Sequence, residues 1–176
     1  MDVELLHFRD SDKILNDKNM MKEVQVTLEY LSDVLFGTLH RGELMRQALE
    51  EMDWRGKDNG NLKILENRRY MYKGFKRGVA IEGSFSAYEF ILEGLFRLQV
   101  GYDKGALETG VLLLTAQRSE KTPYGSTSQM VKEEIEMLYP TISMPVSIAL
   151  FDLGLPMTLD TEGGDENGVS VQANDK

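Results

Sequence analysis

Apolar residues recur at helical spacing in several long stretches of the chain. Between residues 20 and 36 they fall three or four positions apart, which predicts an amphipathic helix that Gly37 can end. The same spacing predicts helices over 42–54 and 126–139, and Pro140 ends the second of these. Three amphipathic helices of this length indicate a globular chain with a shared core.

A fourth helix is expected over 84–98, where Ser84 or Ser86 could serve as the N-cap. The hydrophobic residues expected to face inward from it are Phe85, Tyr88, Leu92, Leu95 and Phe96. This helix directly follows a short apolar run, so it is expected to begin at the end of a strand.

Shorter apolar runs predict strands. They lie at 2–8, 62–72, 78–82, 111–115 and 146–150. The second and third are joined by five residues, which predicts a hairpin, while the later strands are separated by helices and should run parallel. The sequence therefore predicts an α/β fold, a mixed central sheet with helices on both faces.

Length and composition set the next limits. The chain has 176 residues, which suits one domain over 1–159 followed by an acidic, glycine-rich tail over 160–176 that we expect to be disordered. Cysteine is absent and there are two histidines, so thiolate and histidine-rich metal sites are excluded. With no long apolar run and an acidic N-terminus, the expected setting is the cytoplasm, with no membrane contact.

Charge divides the chain unevenly. The formal net charge of −9 argues against a nucleic-acid-binding protein. The stretch from Arg55 to Arg77 nevertheless carries eight basic and two acidic residues. This stretch is either a footprint for phosphate groups or a set of solvated loop and strand-edge residues, and the second reading is the simpler one.

One acidic residue occupies a position typical of a functional site. Glu82 ends the apolar strand Val79–Ile81, at the edge where α/β sheets gather their ligands, with a helix and a basic hairpin beside it. An enzyme could use such an acid to hold a divalent cation against a phosphodiester. The alternative is a structural acid at a strand end or helix cap. Strand alternation places Ala80, Glu82 and Ser84 on one face of the sheet.

Six segments together resemble a known family. They are VAIE at 79–82, FSAYEF at 85–90, GALETGVLLL at 105–114, QALEEMDW at 47–54, YGSTSQMVKEEIE at 124–136 and MPVSIALFDLG at 144–154. Their order and spacing resemble type II restriction endonucleases of the BglII/BstYI group. The resemblance implies a restriction-endonuclease-like fold and Mg²⁺-dependent hydrolysis of double-stranded DNA by a homodimer.

The resemblance also implies three catalytic positions. Glu82 matches the central acid, but Lys73 stands where the family has its first acid and Ser84 where it has Gln, Glu or Lys. The Lys73 ammonium could pair with Glu82 in place of a cation. Two other acids could complete a metal site: Glu89 from the following helix, or Glu66 from the neighbouring strand.

The basic stretch beside these positions would meet DNA phosphates through Arg68, Arg69, Lys76 and Arg77. Three functions remain open on the sequence. The chain is an endonuclease or a diverged relative of one, a catalytically inactive nuclease-fold module that binds DNA or protein, or an unrelated acidic α/β interaction protein.

Overall fold

The computed structural model describes residues 3–56, 62–117, 121, 123 and 125–154. The strands are β1 (Val3–Phe8), β2 (Gly74–Lys76), β3 (Val79–Gly83), β4 (Thr109–Thr115) and β5 (Val146–Phe151). The helices are α1 (Ser11–Asp17), α2 (Met21–Leu35), α3 (Arg41–Glu51), α4 (Phe90–Asp103) and α5 (Ser126–Met137). The predicted tail at 160–176 lies outside the described residues.

The strands form one five-stranded mixed sheet in the order β1-β5-β4-β3-β2. The central strands β3, β4 and β5 run parallel, with α4 and α5 as the crossover connections between them. The edge strands β1 and β2 pair antiparallel with β5 and β3. The predicted α/β fold with a mixed sheet is confirmed.

Side-chain alternation along the strands builds a core on each face of the sheet. From β3, Val79 and Ile81 pack in the core that contains α2 and α3. Ala80 faces the other core, with α4 and α5. Because both faces are covered, every residue of β3 and β5 is buried. A charged residue in β3 is therefore forced into the interior.

Gly83 ends β3 where the strand lies closest to β4. A Cβ added there would stand 2.5 Å from the backbone oxygen of Leu113, which cannot move without disturbing β4. Only glycine allows this close approach, and it fixes the backbone next to Glu82.

We expect Gly83→Ala to lower the free energy of unfolding by about 1–3 kcal/mol because it overpacks the strand pair. Urea unfolding would measure it. Gly42→Ala is the matched control, because nothing lies within 4 Å of a Cβ at that helical glycine. If both substitutions changed the unfolding free energy equally, the close packing of β3 on β4 would not require glycine at position 83.

The predicted helix at 84–98 begins later than expected. Ser84 and Ser86 hydrogen-bond to each other, with 2.7 Å between their Oγ atoms, and α4 begins at Phe90. Neither serine caps the helix. The prediction of the inward face was also partly wrong, because Leu92 and Phe96 are 57% and 63% exposed. Helix α4 instead turns Ile91, Leu95 and Leu98 toward the sheet.

The strand predicted at 62–72 was wrong as well. The described part of this stretch contains an isolated bridge between Lys63 and Met71, and the hairpin is formed by β2 and β3 around Arg77 and Gly78. Helix α1 was not predicted, because its seven residues are too few for a clear helical pattern.

Within the described residues, no helix has the length and apolar character needed to cross a membrane.

Candidate functional site

Glu82 is a fully buried acid, with 0% of its surface exposed. Its Oε1 accepts a hydrogen bond from the backbone N–H of Lys73 at 3.2 Å, and its Oε2 accepts one from Arg97 Nη1 at 3.4 Å. Each carboxylate oxygen thus has a protein donor. Glu82 lies beside Lys73, as the sequence suggested. The hydrogen bond between them comes from the backbone N–H of Lys73, not from its ammonium.

Arg97 is the residue at this site that the sequence reasoning missed. It lies on α4, and its guanidinium joins Glu82 to Glu93, whose Oε1 is 2.9 Å from Nη2. Its backbone oxygen accepts a hydrogen bond from the Tyr72 hydroxyl at 2.6 Å. A single arginine between the apolar residues Phe96 and Leu98 was the available signal, because a charge there has to find a partner.

Burial raises the pKa of the Glu82 carboxyl above its ordinary value, while the positive charges of Arg97 and Lys73 oppose the rise. The same surroundings raise the pKa of Tyr72 to about 12, first through burial and then through the negative charge of Glu82. The Glu82 carboxyl is therefore shielded from solvent, and Arg97 is the main positive charge that acts on it.

The raised pKa of Glu82 predicts how stability changes with pH. The folded protein holds this proton more tightly than the unfolded chain, so the contribution of Glu82 to the unfolding free energy falls as pH rises above its ordinary pKa of 4.5. We expect the stability of the native protein, relative to Glu82→Gln, to fall as the pH rises from 4.5 toward neutral. Urea unfolding across that range would check it, and a difference that is constant or rises with pH would contradict it.

These residues do not fit Mg²⁺. A magnesium site usually needs one or two carboxylates that can reach the hydrated ion, whereas Glu82 is fully buried and pairs with the guanidinium of Arg97. In the part of the chain that the structure describes, no three acidic or histidine side chains group together as metal ligands. The guanidinium of Arg97 supplies the positive charge that faces the acid.

A cleft of about 430 Å³ opens beside this pair, between α3 and the end of β3. We call it the cationic cleft. Its lining residues are Thr38, Leu39, Arg41, Gly42, Met45, Lys73, Gly83, Ser84, Phe85, Ser86, Phe90 and Arg97. Three of these are cationic, and none of these described residues is acidic. On a chain with a net charge of −9, such a surface favours anions.

The α3 side of the cleft adds further hydrogen-bond donors. Arg41 donates from Nη2 to the backbone oxygens of Leu153 and Gly154, which holds its guanidinium in place. Its Nε is buried and has no hydrogen-bond partner among the described residues. The N-cap residue His40 makes no side-chain hydrogen bond to the first turn of α3. The cleft is therefore lined on this side by a guanidinium held in place and by the first residues of α3.

The other predicted acids lie elsewhere. Glu89 is the exposed N-cap residue of α4 and lines a groove between α4 and α5. Glu66 is exposed within the loop closed by the Lys63–Met71 bridge. Neither is a described hydrogen-bond partner of Glu82. Ser84, by contrast, is half-buried and lines the cationic cleft.

The predicted DNA-binding residues fall into two groups. Lys76 and Arg77 both form ion pairs with Glu23 of α2. Burial acts to raise the pKa of the Glu23 carboxyl. The hydrogen bonds and positive charges of Lys76 and Arg77 outweigh burial and hold this pKa below its ordinary value. Arg68 and Arg69 are exposed on the loop before β2. Of the four cations, the two arginines of the loop are thus the more open to a phosphate.

Comparison with known proteins locates this arrangement in a known fold. The BglII restriction endonuclease complexed with a DNA 16-mer superposes with a TM-score of 0.60 at 16% identity, over 86% of this chain and 76% of that chain. Free BglII gives a TM-score of 0.55 at 17% identity, over 86% and 80%. The fold is that of BglII. No family model matches the sequence, and no curated protein does.

The BglII-like fold explains the position of the site. In this sheet the end of β3, the first turn of α3 and one face of α4 meet at one edge. That edge holds Glu82 and Arg97 on one side and Arg41 on the other. The chain thus combines a BglII-like fold with cations beside the buried Glu82.

Proposed function

We propose that this domain binds double-stranded DNA through the cationic cleft and does not hydrolyse it. One observation carries the proposal: Arg41, Lys73 and Arg97 line a cleft without acidic residues among those described, beside an acid that is already paired. Phosphate groups are the anions that arginine binds best, because its planar guanidinium can donate two parallel hydrogen bonds.

The choice of double-stranded DNA is supported by the fold. BglII, whose fold the chain shares, has been solved in complex with a DNA 16-mer. A duplex presents phosphates to the cleft and to the exposed loop that carries Arg68 and Arg69. We propose that these two arginines contact the DNA phosphates on either side of the cleft. Lys76 and Arg77 would do the same once they release Glu23 and bind phosphate instead.

The absence of hydrolysis follows from the state of Glu82. Cleavage of a phosphodiester needs an activated water and a positive charge that stabilises the transition state. Glu82 is fully buried and accepts hydrogen bonds from Lys73 and Arg97, so a metal would have to compete with Arg97 for this carboxylate. Because Arg97 is already paired with Glu82 and Glu93, Arg41 and Lys73 are the cations of the cleft that we propose meet phosphate.

Metal-dependent endonuclease activity is the second candidate. The likeness to BglII and the position of Glu82 at the end of β3 favour it. It requires Arg97 to leave Glu82 when a cation arrives. The two candidates differ in whether DNA is cleaved when a divalent cation is added.

Duplex binding tests the proposal. We expect a fluorescein-labelled duplex to bind in EDTA, with an affinity that falls as salt increases, because bound phosphates release counterions. Lys73→Gln should lower the magnitude of the salt slope by about one. Fluorescence anisotropy titrations at several salt concentrations would measure both effects.

Lys132→Gln is the matched control, because Lys132 is an exposed lysine of α5 outside the cleft. It should leave the slope unchanged. Absence of duplex binding in EDTA at low salt would overturn the proposal, as would an equal change of slope in the two variants.

A further inference from the structure

Another concavity among the described residues lies between α4 and α5, on the sheet face opposite α2 and α3. Its volume is about 440 Å³, and its lining is mainly apolar, including Leu92, Met130, Met137 and Leu138. Two acids, Glu89 and Glu134, complete it, and no described lining residue is basic. We call it the α4–α5 groove. Nothing in the proposed DNA-binding site uses it.

The groove continues into an exposed apolar surface. Leu92, Phe96 and Met137 are 57%, 63% and 75% exposed. Leu92 and Phe96 lie one helical turn apart on α4, so they form a stripe beside the groove. Large apolar side chains grouped at this exposure are typical of a surface that binds a partner.

The charge around the groove restricts the partner. Residues 89–103 and 126–137 carry six acidic and two basic side chains. One of the two bases, Arg97, is already paired with Glu82 and Glu93. A second copy of the chain docked symmetrically here would bring two acidic surfaces together, which is unfavourable. A partner with basic flanks would meet opposite charge instead.

The shape of the groove indicates a helix. Two crossover helices with a gap between them can accept a third helix whose apolar stripe fills that gap. Methionine side chains such as Met130 and Met137 adapt to different apolar surfaces. Tyr88 donates a hydrogen bond to Glu134 at 2.9 Å, which ties the start of α4 to α5 and keeps the groove formed without an occupant.

We propose that the α4–α5 groove binds an amphipathic, basic helix of another protein. The apolar stripe of that helix would lie along Leu92 and Met137, and its lysine or arginine side chains would meet Glu89, Glu133 and Glu134. This interaction does not depend on DNA binding, because the cationic cleft lies on α3 and the end of β3.

A designed peptide tests the proposal. The probe is a helical peptide of about twenty residues, made of leucine and lysine at helical spacing so that the leucines form one stripe. Two comparison peptides are a scrambled one with the same composition and one in which glutamate replaces lysine. We expect the first to bind the full chain at least tenfold more tightly than either comparison peptide, measured by isothermal titration calorimetry.

Protein variants locate the binding. Leu92→Gln combined with Met137→Gln changes two exposed positions and should weaken binding of the stripe peptide at least tenfold. Val26→Gln is the matched control, since Val26 is an exposed apolar residue of α2. Equal binding of the scrambled peptide, or equal affinity of the two variants, would overturn the proposal. Self-association in sedimentation that the double variant abolishes would also overturn it, in favour of a second copy and the predicted homodimer.

Discussion

Arg97→Met is expected to lower the free energy of unfolding by about 3 kcal/mol. Removing one partner of a buried ion pair leaves the other charge uncompensated, at a cost of about 3–5 kcal/mol. The lower end applies because the Arg97 side chain is 24% exposed, while Glu82 is 0% exposed. Urea unfolding at neutral pH would measure the loss. The methionine keeps most of the apolar stem of the arginine, so the change reports mainly on the charge.

A second substitution separates charge from packing. Glu82→Gln in the Arg97→Met background removes the uncompensated carboxylate, so we expect it to recover most of the lost stability. Arg46→Met is the control, because Arg46 forms exposed ion pairs with Glu43 and Glu50 on α3. Such surface pairs contribute at most about 1 kcal/mol. An equal cost at the two arginines, or no recovery in the double variant, would show that Arg97 does not hold Glu82.

Replacing two cations of the cleft is expected to have the second large effect. Arg41→Gln combined with Lys73→Gln should weaken duplex binding about 100-fold at moderate salt, because two phosphate contacts are lost together. Fluorescence anisotropy in EDTA would measure the change. Circular dichroism would check the fold, since Arg41 also donates hydrogen bonds to Leu153 and Gly154.

The control carries the same loss of charge outside the cleft. Arg46→Gln combined with Lys132→Gln removes one arginine of α3 and one lysine of α5, so the net charge matches that of the cleft variant. We expect less than a threefold loss of affinity. If the two double variants lost affinity equally, binding would depend on overall charge, and the cleft would have no special role.

The sequence allowed the sheet and the position of Glu82 to be predicted. Apolar runs identified β3, β4 and β5, and their alternation placed Ala80 and Glu82 on one face. The helix after β3 was misplaced because two serines suggested a cap, while in the structure they bond to each other and Phe85 packs against the Phe151 ring at 5.2 Å. That contact is between residues far apart in the chain, so no local pattern reveals it.

The charges at the site could not be assigned from the sequence. The Lys73 ammonium was one possible partner for Glu82, because Lys73 stands where the family that the sequence resembles has its first acid. The structure brings in Arg97, fifteen positions after Glu82, through the packing of α4 on the sheet. Likewise, Lys76 and Arg77 pair with Glu23 of α2, which only the tertiary fold brings near. Long-range ion pairs of this kind follow from the topology and leave no local signal.

Incubation of supercoiled plasmid with the protein tests most directly whether this domain binds double-stranded DNA without hydrolysing it. The protein should be present at a concentration that saturates duplex binding, with Mg²⁺ or Mn²⁺ added and with Glu82→Gln alongside. We expect the plasmid to remain supercoiled in every sample. Nicked or linear plasmid with the native protein, and none with Glu82→Gln, would contradict the claim that Arg97 and Lys73 have closed the site around Glu82.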